Sequence, residues 1–419
     1  MLKELFPRAH RRFSSLPLLG AIADSFANWL QQQGYRRRSV RLYLRTLSRL
    51  DAMMRLRGRS TLSDVTREDL RACRPANSQD DRNLAGTVHV LERYLDVHSF
   101  LSPPPPPEPL GRSDALLADY KHFLEDVRGL SRSTVTGHLL TVSCFLEHVQ
   151  YESAPSQLIE LKARDIETFI VHLGKQHCRA SLQHDAAHLR GFLRFGVASG
   201  TLPPGLDAHI DTPRLYRLEQ LPRALPWKSV CALLTSIDRS SSMGMRDYAM
   251  LFLIATYGLR ACDIRTLGLE DIRWRQGEIR MAQRKTGQPL VLPLTDAAGD
   301  VLIQYLRHGR PQTPFRQLFL RVRAPMGPLK HTGVNDAIKG CVKRSGLTLA
   351  FTGIHCLRHS YALHLLRQGT SLKTIGDLLG HRTAASTCVY LRLAIEELRE
   401  VALDVPGRCR SSQHSEVQP

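Results

Sequence analysis

The chain has 419 residues, of which 42% are hydrophobic, so its length predicts two or three domains and its composition excludes wholesale disorder. Lysine and arginine outnumber aspartate and glutamate by 58 to 39, which gives a formal charge of +19. An excess of this size opposes folding through self-repulsion. It therefore favours a polyanionic partner such as nucleic acid over a generically basic protein or an anionic membrane surface.

Neither a membrane span nor a signal peptide is expected, because no apolar run approaches the ~18 residues that a bilayer-crossing helix needs. The 9 cysteines are scattered without a C-x-x-C pair, a pattern that indicates free thiols in a reducing compartment and no structural zinc. We therefore expect a cytoplasmic protein, associated with the nucleoid if its partner is DNA.

Two proline-rich breaks divide the chain. The prolines at 103–107 predict a stiff polyproline spacer, and a second proline-rich break spans 203–226. The expected domains are residues 1–102, 110–203 and 225–405, followed by a polar tail, 406–419, that is expected to be disordered.

The first two segments resemble each other in sequence. An aromatic residue opens an apolar series at helical spacing in each segment, at Phe26 and at Tyr120, and a glycine follows it, at Gly34 and at Gly129. The offset between the two series is about 95 residues, and each segment closes with another helical pattern. We interpret the pair as a duplicated domain of about four helices, with coincidental similarity of amphipathic helices as the alternative.

Basic residues cluster at predicted helix starts in both segments. Arginines near a helix N-terminus are suited to contact the phosphate backbone, although a basic run can also be only a solvated face. The candidates for DNA contact are Arg36, Arg37, Arg38, Arg41, Arg45, Arg132, Lys162 and Arg164.

The third segment is predicted to be mostly helical with one β excursion. An apolar helix over 247–259 leads into Arg260, and the helical pattern continues over 264–272. Residues 278–285 and 290–294 flank a turn, which predicts two paired strands with Lys285 at the turn. Helices are expected to resume near residues 296, 334, 355, 371 and 384.

The third segment also contains a series of polar residues suited to phosphate chemistry. His355 and Arg358 are three residues apart, so they share a helix face. Gly380 is predicted to end a short helix in the left-handed conformation, directly before His381. Tyr390 follows nine residues later.

Other polar residues beside this series are assigned to packing or to the surface. They are His359, Tyr361 and His364, which lie on the same predicted helix as His355 and Arg358.

In this order and spacing, residues 225–402 resemble the catalytic domain of the tyrosine recombinases, also called the lambda-integrase family. The family's pattern is arginine, hairpin lysine, histidine-x-x-arginine, histidine or tryptophan, and tyrosine. The matching positions are Arg260, Lys285, His355, Arg358, His381 and Tyr390. Asp263 stands where the family usually has an acidic residue that supports the active-site arginines.

The resemblance implies a mainly α protein with a small antiparallel β-sheet in its catalytic domain. Residues 110–203 resemble, more weakly, the family's core-binding domain, and residues 1–102 are an addition to the minimal family pattern. The expected architecture is therefore a tyrosine-recombinase catalytic domain preceded by two helical domains of the core-binding type.

The chemistry of phosphodiester cleavage explains why these residue types are needed. Arg260 and Arg358 would clamp the non-bridging oxygens, because an arginine fork binds two oxygens and keeps its charge. The resemblance implies that Tyr390 attacks phosphorus and becomes joined to the 3′ phosphate. His355 is the candidate general base and Lys285 the candidate general acid.

His381 would complete this set by donating a hydrogen bond to a phosphate oxygen. Because the phosphotyrosine conserves the bond energy, neither a metal nor a nucleotide cofactor is expected.

The function that the resemblance favours is site-specific recombination or integration by a mobile genetic element, on double-stranded DNA with specific recombination sites. It also implies a homotetramer that passes through a Holliday junction, with sibling recombinases as further candidate partners. The amphipathic pattern over 394–403 fits docking on a neighbouring subunit or on its own domain.

Three alternatives stay open. They are a type IB topoisomerase-like nicking and closing enzyme, a chromosome-dimer-resolving recombinase, and a non-catalytic DNA-binding protein. The complete catalytic set argues against the last of these.

Overall fold

The computed structural model describes residues 1–75, 81–101, 111–215, 221–283, 287, 289–381 and 383–393. Three large hydrophobic cores organise these residues, one for each helical set described below. The contacts between residues divide the chain into two compact units. One contains residues 1–102 and 221–419, and the other contains residues 103–220. None of the described helices combines the length and the apolarity needed to cross a bilayer.

The N-terminal helical set begins with two short helices and continues with four that enclose the first core. These helices are α1 (Leu2–Leu5), α2 (His10–Ser14), α3 (Ala23–Gln32), α4 (Arg37–Leu56), α5 (Arg67–Ala72) and α6 (Arg82–Val97). The turn between α3 and α4 requires Gly34, whose φ is 82°. Inside the core, the ring of Phe26 stacks on that of Trp29, and the ring of Tyr94 meets both of them edge-on.

The second set places its elements in the same order around its own core. Its helices are α7 (Arg112–His122), α8 (Arg132–His148), α9 (Ser156–Ile159), α10 (Ala163–Gly174) and α11 (Arg179–Ala198). The long helices α4 and α8 each follow a glycine with positive φ, Gly34 and Gly129. Tyr120 and Phe145 are fully buried, as Phe26 is in the first set. The duplication itself stays a prediction.

The third set, which covers the predicted catalytic domain and is called the catalytic set below, is built around one largely buried helix, α13. Its helices are α12 (Trp227–Thr235), α13 (Ser242–Tyr257), α14 (Ala261–Thr266), α15 (Asp296–Gln304), α16 (Gly333–Ser345), α17 (His355–Arg367), α18 (Leu372–Leu379) and α19 (Ala385–Cys388). Helix α13 is apolar on most of its circumference, which is typical of a helix surrounded by protein. It packs against α12, α15, α16 and α17.

Two small antiparallel sheets lie beside these helices. Their strands are β1 (Ile272–Arg273), β2 (Glu278–Ala282), β3 (Pro289–Pro293), β4 (Leu320–Arg321) and β5 (Gly327–Pro328). Ile279 pairs with Ile272 on one side and with Leu292 on the other, so the three apolar side chains face the core together. The predicted strand pair is confirmed, while the turn that carries Lys285 lies outside the described residues.

The helix predicted over 264–272 is wrong. Helix α14 ends at Thr266, and the backbone amide of Gly268 donates a hydrogen bond of 2.7 Å to the carboxylate of Asp271. A short polar side chain that binds the backbone two or three residues away favours a turn over helix. The chain therefore bends and enters β1 at Ile272.

Candidate active site

The site forms where α13 ends. The last residue of α13 is followed by Gly258, which has a φ of 64°, and a Cβ atom there would lie 2.5 Å from the Leu379 side chain. Only glycine meets both demands, so the chain can reverse and deliver Arg260 directly before α14. Helices α17 and α18 and the 3-10 turn Val389–Leu393 close around this reversal.

Arg358 is buried in the wall of the site, with only 4% of its surface exposed. Its Nη1 donates to the Gly258 carbonyl oxygen at 2.5 Å, and its Nη2 donates to the Leu379 carbonyl oxygen at 2.8 Å. Burial, with a further contribution from the charge of Arg260, lowers the pKa of Arg358 to about 10. The guanidinium is therefore still charged at neutral pH and is held by the two helix ends that it joins.

Arg260 lies beside Arg358 and is oriented by a side chain that the sequence analysis missed. Its Nη1 donates to the Oε1 atom of Gln283 at 2.8 Å, and the Gln283 Nε2 donates to the Leu379 carbonyl oxygen at 3.2 Å. Asp263 is buried, and its Oδ2 lies 4.0 Å from the Arg260 Nη1. Gln283 thus fixes the direction of the Arg260 guanidinium.

The signal for Gln283 was present in the sequence. Ile279 and Met281 point inward on β2, so the alternation of a strand predicts that Gln283 points inward as well. A buried amide must find partners, and here it finds Arg260 and the backbone of Leu379.

Tyr390 is only 2% exposed and places its hydroxyl among polar groups inside the site. That hydroxyl lies 3.2 Å from the Nδ1 of His359. Burial raises the pKa of Tyr390, while the charges of Arg358 and Arg260 act in the opposite direction. The phenol is therefore held in its protonated form, next to a group that can accept its proton.

The sequence analysis assigned His359 to packing or the surface, and the structure places its half-buried ring against Tyr390, where it offers more than packing. Burial, followed by the neighbouring His355 and Arg358, lowers the pKa of His359 to about 4. The imidazole is neutral at neutral pH, so one ring nitrogen can accept the proton of the Tyr390 hydroxyl. His355 is exposed at the start of α17, and its ring centroid lies 6.1 Å from that of His359.

His381 follows Gly380, which has the predicted left-handed conformation with a φ of 61°. The His381 Nδ1 forms a hydrogen bond of 2.8 Å with the Thr387 hydroxyl, and its ring lies nearly parallel to that of Tyr390 at 6.4 Å. Burial lowers the pKa of His381 to about 4. Thr387 orients the ring and leaves Nε2 as the nitrogen that can meet a substrate.

Two neighbours on α17 have the packing roles that were expected. His364 stacks on Trp227 with 4.0 Å between ring centroids, and Tyr361 packs against Gly258. Of the predicted catalytic residues, the structure brings together Arg260, Arg358, His381 and Tyr390, whereas Lys285 lies outside the described residues.

The candidate DNA-contact residues are all exposed and lie at the starts of α4, α8 and α10. They are Arg36, Arg37, Arg38, Arg41, Arg45, Arg132, Lys162 and Arg164.

The arrangement is suited to bind an anion and to attack it. Two adjacent guanidiniums repel each other unless an anion lies between them, so they favour a group that spreads negative charge over several oxygens. Within the described ranges, no group of three or more His, Cys, Asp or Glu side chains is placed to hold a metal ion. The described side chains of the site can stabilise negative charge, accept or donate a proton and supply a nucleophile.

Comparisons with known proteins identify the family. Residues 224–397 match the phage integrase family, and residues 117–200 match the phage integrase N-terminal SAM-like domain. The integrase/recombinase y4rA of Sinorhizobium fredii is 30% identical over 395 residues, which cover 92% of this chain and 94% of that protein. The chain belongs to the tyrosine recombinase family. The recombinase is therefore an enzyme that breaks and rejoins DNA strands.

Other relatives of this recombinase are shorter. The tyrosine recombinase XerD of Listeria innocua is 30% identical over 290 residues, which cover 68% of this chain and 96% of that protein. Because the y4rA match covers 92% of the chain, it necessarily includes most of residues 1–102.

Solved structures show the same fold. The XerH recombinase in a post-cleavage complex with a palindromic difH substrate has a TM-score of 0.54 at 17% identity, covering 68% of this chain and 83% of that chain. A lambda integrase (75-356) dimer bound to a COC′ core site has a TM-score of 0.52 at 19% identity, covering 73% of this chain and 98% of that chain.

Proposed function

We propose that this recombinase cuts and rejoins specific DNA sites through a covalent bond between Tyr390 and the 3′ phosphate. The observation that carries the proposal is the buried Tyr390 hydroxyl, held beside His359 and close enough to Arg260 and Arg358 for their charges to act on it. A nucleophile, a proton acceptor and two anion-binding cations are the parts that phosphoryl transfer to a side chain requires.

The first step is binding of the scissile phosphate by the two arginines. Arg260 and Arg358 donate to its non-bridging oxygens, and the negative charge that builds up there during displacement is stabilised by fixed cations. The His381 Nε2 donates a further hydrogen bond to one of these oxygens. Gln283 and Thr387 act through Arg260 and His381, so they are positioning residues.

The second step is attack by the phenol oxygen of Tyr390 on phosphorus. Its proton passes to the Nδ1 of His359, the phosphorus–oxygen bond to tyrosine forms, and the bond to the 5′ oxygen breaks. Lys285 donates a proton to the departing 5′ oxygen, and the reverse sequence rejoins a strand. His355, which was the predicted base, lies one helical turn from His359 at the exposed start of α17. In this mechanism it contacts the incoming phosphate and does not take the proton of Tyr390.

We place this activity in a mobile genetic element, because residues 1–102 are an addition to the minimal family pattern. The y4rA match includes most of that addition, whereas the XerD match covers 68% of this chain and already uses 96% of that protein. A lambda integrase tetramer bound to a Holliday junction, with a TM-score of 0.50, supports assembly as a homotetramer on two sites and strand exchange through such a junction.

A nicked suicide substrate carrying the element's own ends tests the proposal. The intact chain should form a protein–DNA adduct that survives denaturation, and Tyr390→Phe should form none. Tyr361→Phe is the matched control, because Tyr361 packs in the same small cluster as Tyr390 and should leave the adduct unchanged. An adduct that persists in Tyr390→Phe would refute the assignment of the nucleophile.

A type IB topoisomerase-like enzyme is the second candidate, since it would use the same four groups. It would relax supercoiled plasmids that lack the element's ends, at rates comparable with plasmids that carry them. We expect relaxation and adduct formation to depend on those ends.

A further inference from the structure

A second polar cleft lies where the N-terminal helical set meets the catalytic set, within the same compact unit. It has a volume of about 900 Å³. The N-terminal set contributes Tyr35, Arg36 and Ser39 to its lining, and the catalytic set contributes His308, Arg310 and Arg323.

A direct contact between the two sets forms one edge of this cleft. The backbone amide of Met326, in the turn between β4 and β5, donates to the carbonyl oxygen of Gln33 at 3.4 Å. The Met326 side chain also covers Gly34, where a Cβ atom would lie 2.8 Å from its Cε. The turn between α3 and α4 thus docks on the β4–β5 hairpin, and Arg36 and Arg323 line the same cleft as a result.

The lining of the cleft is positive, and no Asp or Glu is among its described residues. Arg36 and Arg323 are exposed, so their charges can reach a ligand, and His308 is exposed beside them. Arg310 is held in place by the carbonyl oxygens of Phe315, Gln317 and Leu318. Helices α4 and α13 both begin at the cleft, and the positive ends of their helix dipoles add positive potential there.

A groove of about 740 Å³ along α4 lies next to this cleft, and Ser39 lines both. Arg38, Arg41 and Arg45 line the groove at helical spacing. A ligand that used all of these cations would be an extended anion with charges at intervals, which describes a nucleic acid backbone better than a single phosphate group.

Helix α13 separates the cleft from the candidate active site. Ser242 and Met243 at its N-terminal end line the cleft, and Gly258 after its C-terminal end accepts a hydrogen bond from Arg358. The helix is 16 residues long, which corresponds to about 24 Å. A phosphate in the cleft is therefore not the phosphate beside Tyr390.

We propose that this cleft and the α4 groove bind the phosphate backbone of DNA away from the cleavage point, so that residues 1–102 and the catalytic domain hold a second stretch of duplex together. The proposal rests on the DNA-rejoining activity of the family and not on the assignment of Tyr390. Arg36 and Arg323 donate to the backbone from opposite sides of the cleft wall, one from each helical set.

The test is the salt dependence of DNA binding by the full chain carrying Tyr390→Phe, measured by fluorescence anisotropy with a labelled duplex of about 40 base pairs. The variant Arg36→Ala/Arg323→Ala should lower the slope of log Kd against log salt by about 1.8, because each lost phosphate contact removes about 0.9. Affinity at moderate salt should fall by about tenfold. Arg310 is left intact, since its role in the loop would confuse the result.

Arg55→Ala/Arg71→Ala is the matched control. It removes the same charge from exposed arginines of the N-terminal set that lie outside the cleft and the groove, at the far end of α4 and on α5. The proposal is overturned if the two double variants have the same slope, and a cleft that serves an acidic protein would give that result. Adduct formation is measured separately, with Tyr390 restored in both double variants. The salt slope therefore tests the cleft, and the adduct tests the assignment of Tyr390, so that either can fail without the other.

Discussion

The Nδ1 atom of His359 lies 3.2 Å from the hydroxyl of Tyr390, which makes it the proton acceptor nearest to the proposed nucleophile among the contacts described above. His359→Phe keeps a buried ring of similar size but removes the acceptor. We expect adduct formation to slow by about 10²- to 10⁴-fold, the usual contribution of general acid–base catalysis. Single-turnover cleavage of the suicide substrate measures this.

His364→Phe is the control for that experiment, because His364 lies on the same helix and stacks on Trp227 outside the site. Its rate should match that of the unchanged chain. An equal rate for His359→Phe would instead assign proton transfer to another group, of which His355 is the first to examine.

The close approach of Gly380 to Gln283 should be required for activity. A Cβ atom at Gly380 would overlap the Gln283 side-chain amide, and a φ of 61° adds the usual cost of about 1–2 kcal/mol for a left-handed alanine. Gly277→Ala is the control, since Gly277 has a φ of 63° and nothing within 4 Å of an added Cβ. Both variants should lose stability, and only Gly380→Ala should also lose cleavage, because Gln283 would no longer orient Arg260.

Arg358 should contribute to stability as well as to catalysis. Arg358→Met would remove the donor that Arg358 supplies to the Gly258 carbonyl oxygen and would leave the Leu379 carbonyl oxygen with Gln283 as its remaining side-chain donor. An unsatisfied buried acceptor costs about 1–3 kcal/mol. Urea unfolding and the cleavage assay should both report a decrease. Arg275→Met, at an exposed position, should change neither.

Acid should weaken the helical domain of α7 to α11 through a half-buried histidine, His138. Burial is the largest reason why the pKa of His138 is lowered to about 4, and its Nδ1 is bonded to the Tyr120 hydroxyl at 2.8 Å. An unfolded histidine titrates near 6.5, so the unfolded chain takes up a proton that the folded chain refuses. The free energy of unfolding therefore falls as pH decreases from about 6.5 to about 4, and this group adds no pH dependence above that interval.

Amide hydrogen exchange of α8, corrected for the intrinsic pH dependence, measures this effect. His138→Phe should flatten the acid-side loss of protection. A loss of equal size in that variant would contradict the role given to His138.

Most of the fold class and much of the proposed active site could be predicted from the sequence. Arg260, His381 and Tyr390 lie within short motifs whose local structure is dictated by a glycine or by helical spacing, as Gly380 shows. Such local patterns survive folding, because they depend on neighbours in the chain.

Gln283 and His359 could not be identified in the same way. The role of Gln283 depends on where β2 passes the end of α18, which is a relation between distant parts of the chain. His359 follows Arg358 directly and looked like one of several helix histidines, and only the position of Tyr390, 31 residues later, gives it a partner. Tertiary contacts over such separations carry no periodic signal.

The burial of Tyr390 has a consequence for how the enzyme behaves on chromosomal DNA. A side chain that is 2% exposed cannot touch a phosphate until the turn Val389–Leu393 moves. Random encounters with a duplex are short compared with such a rearrangement unless further contacts prolong them. With Tyr390 as the proposed nucleophile, this burial would guard the resting chain against accidental nicking, and fidelity would depend on how long the right DNA stays bound as much as on which bases are read.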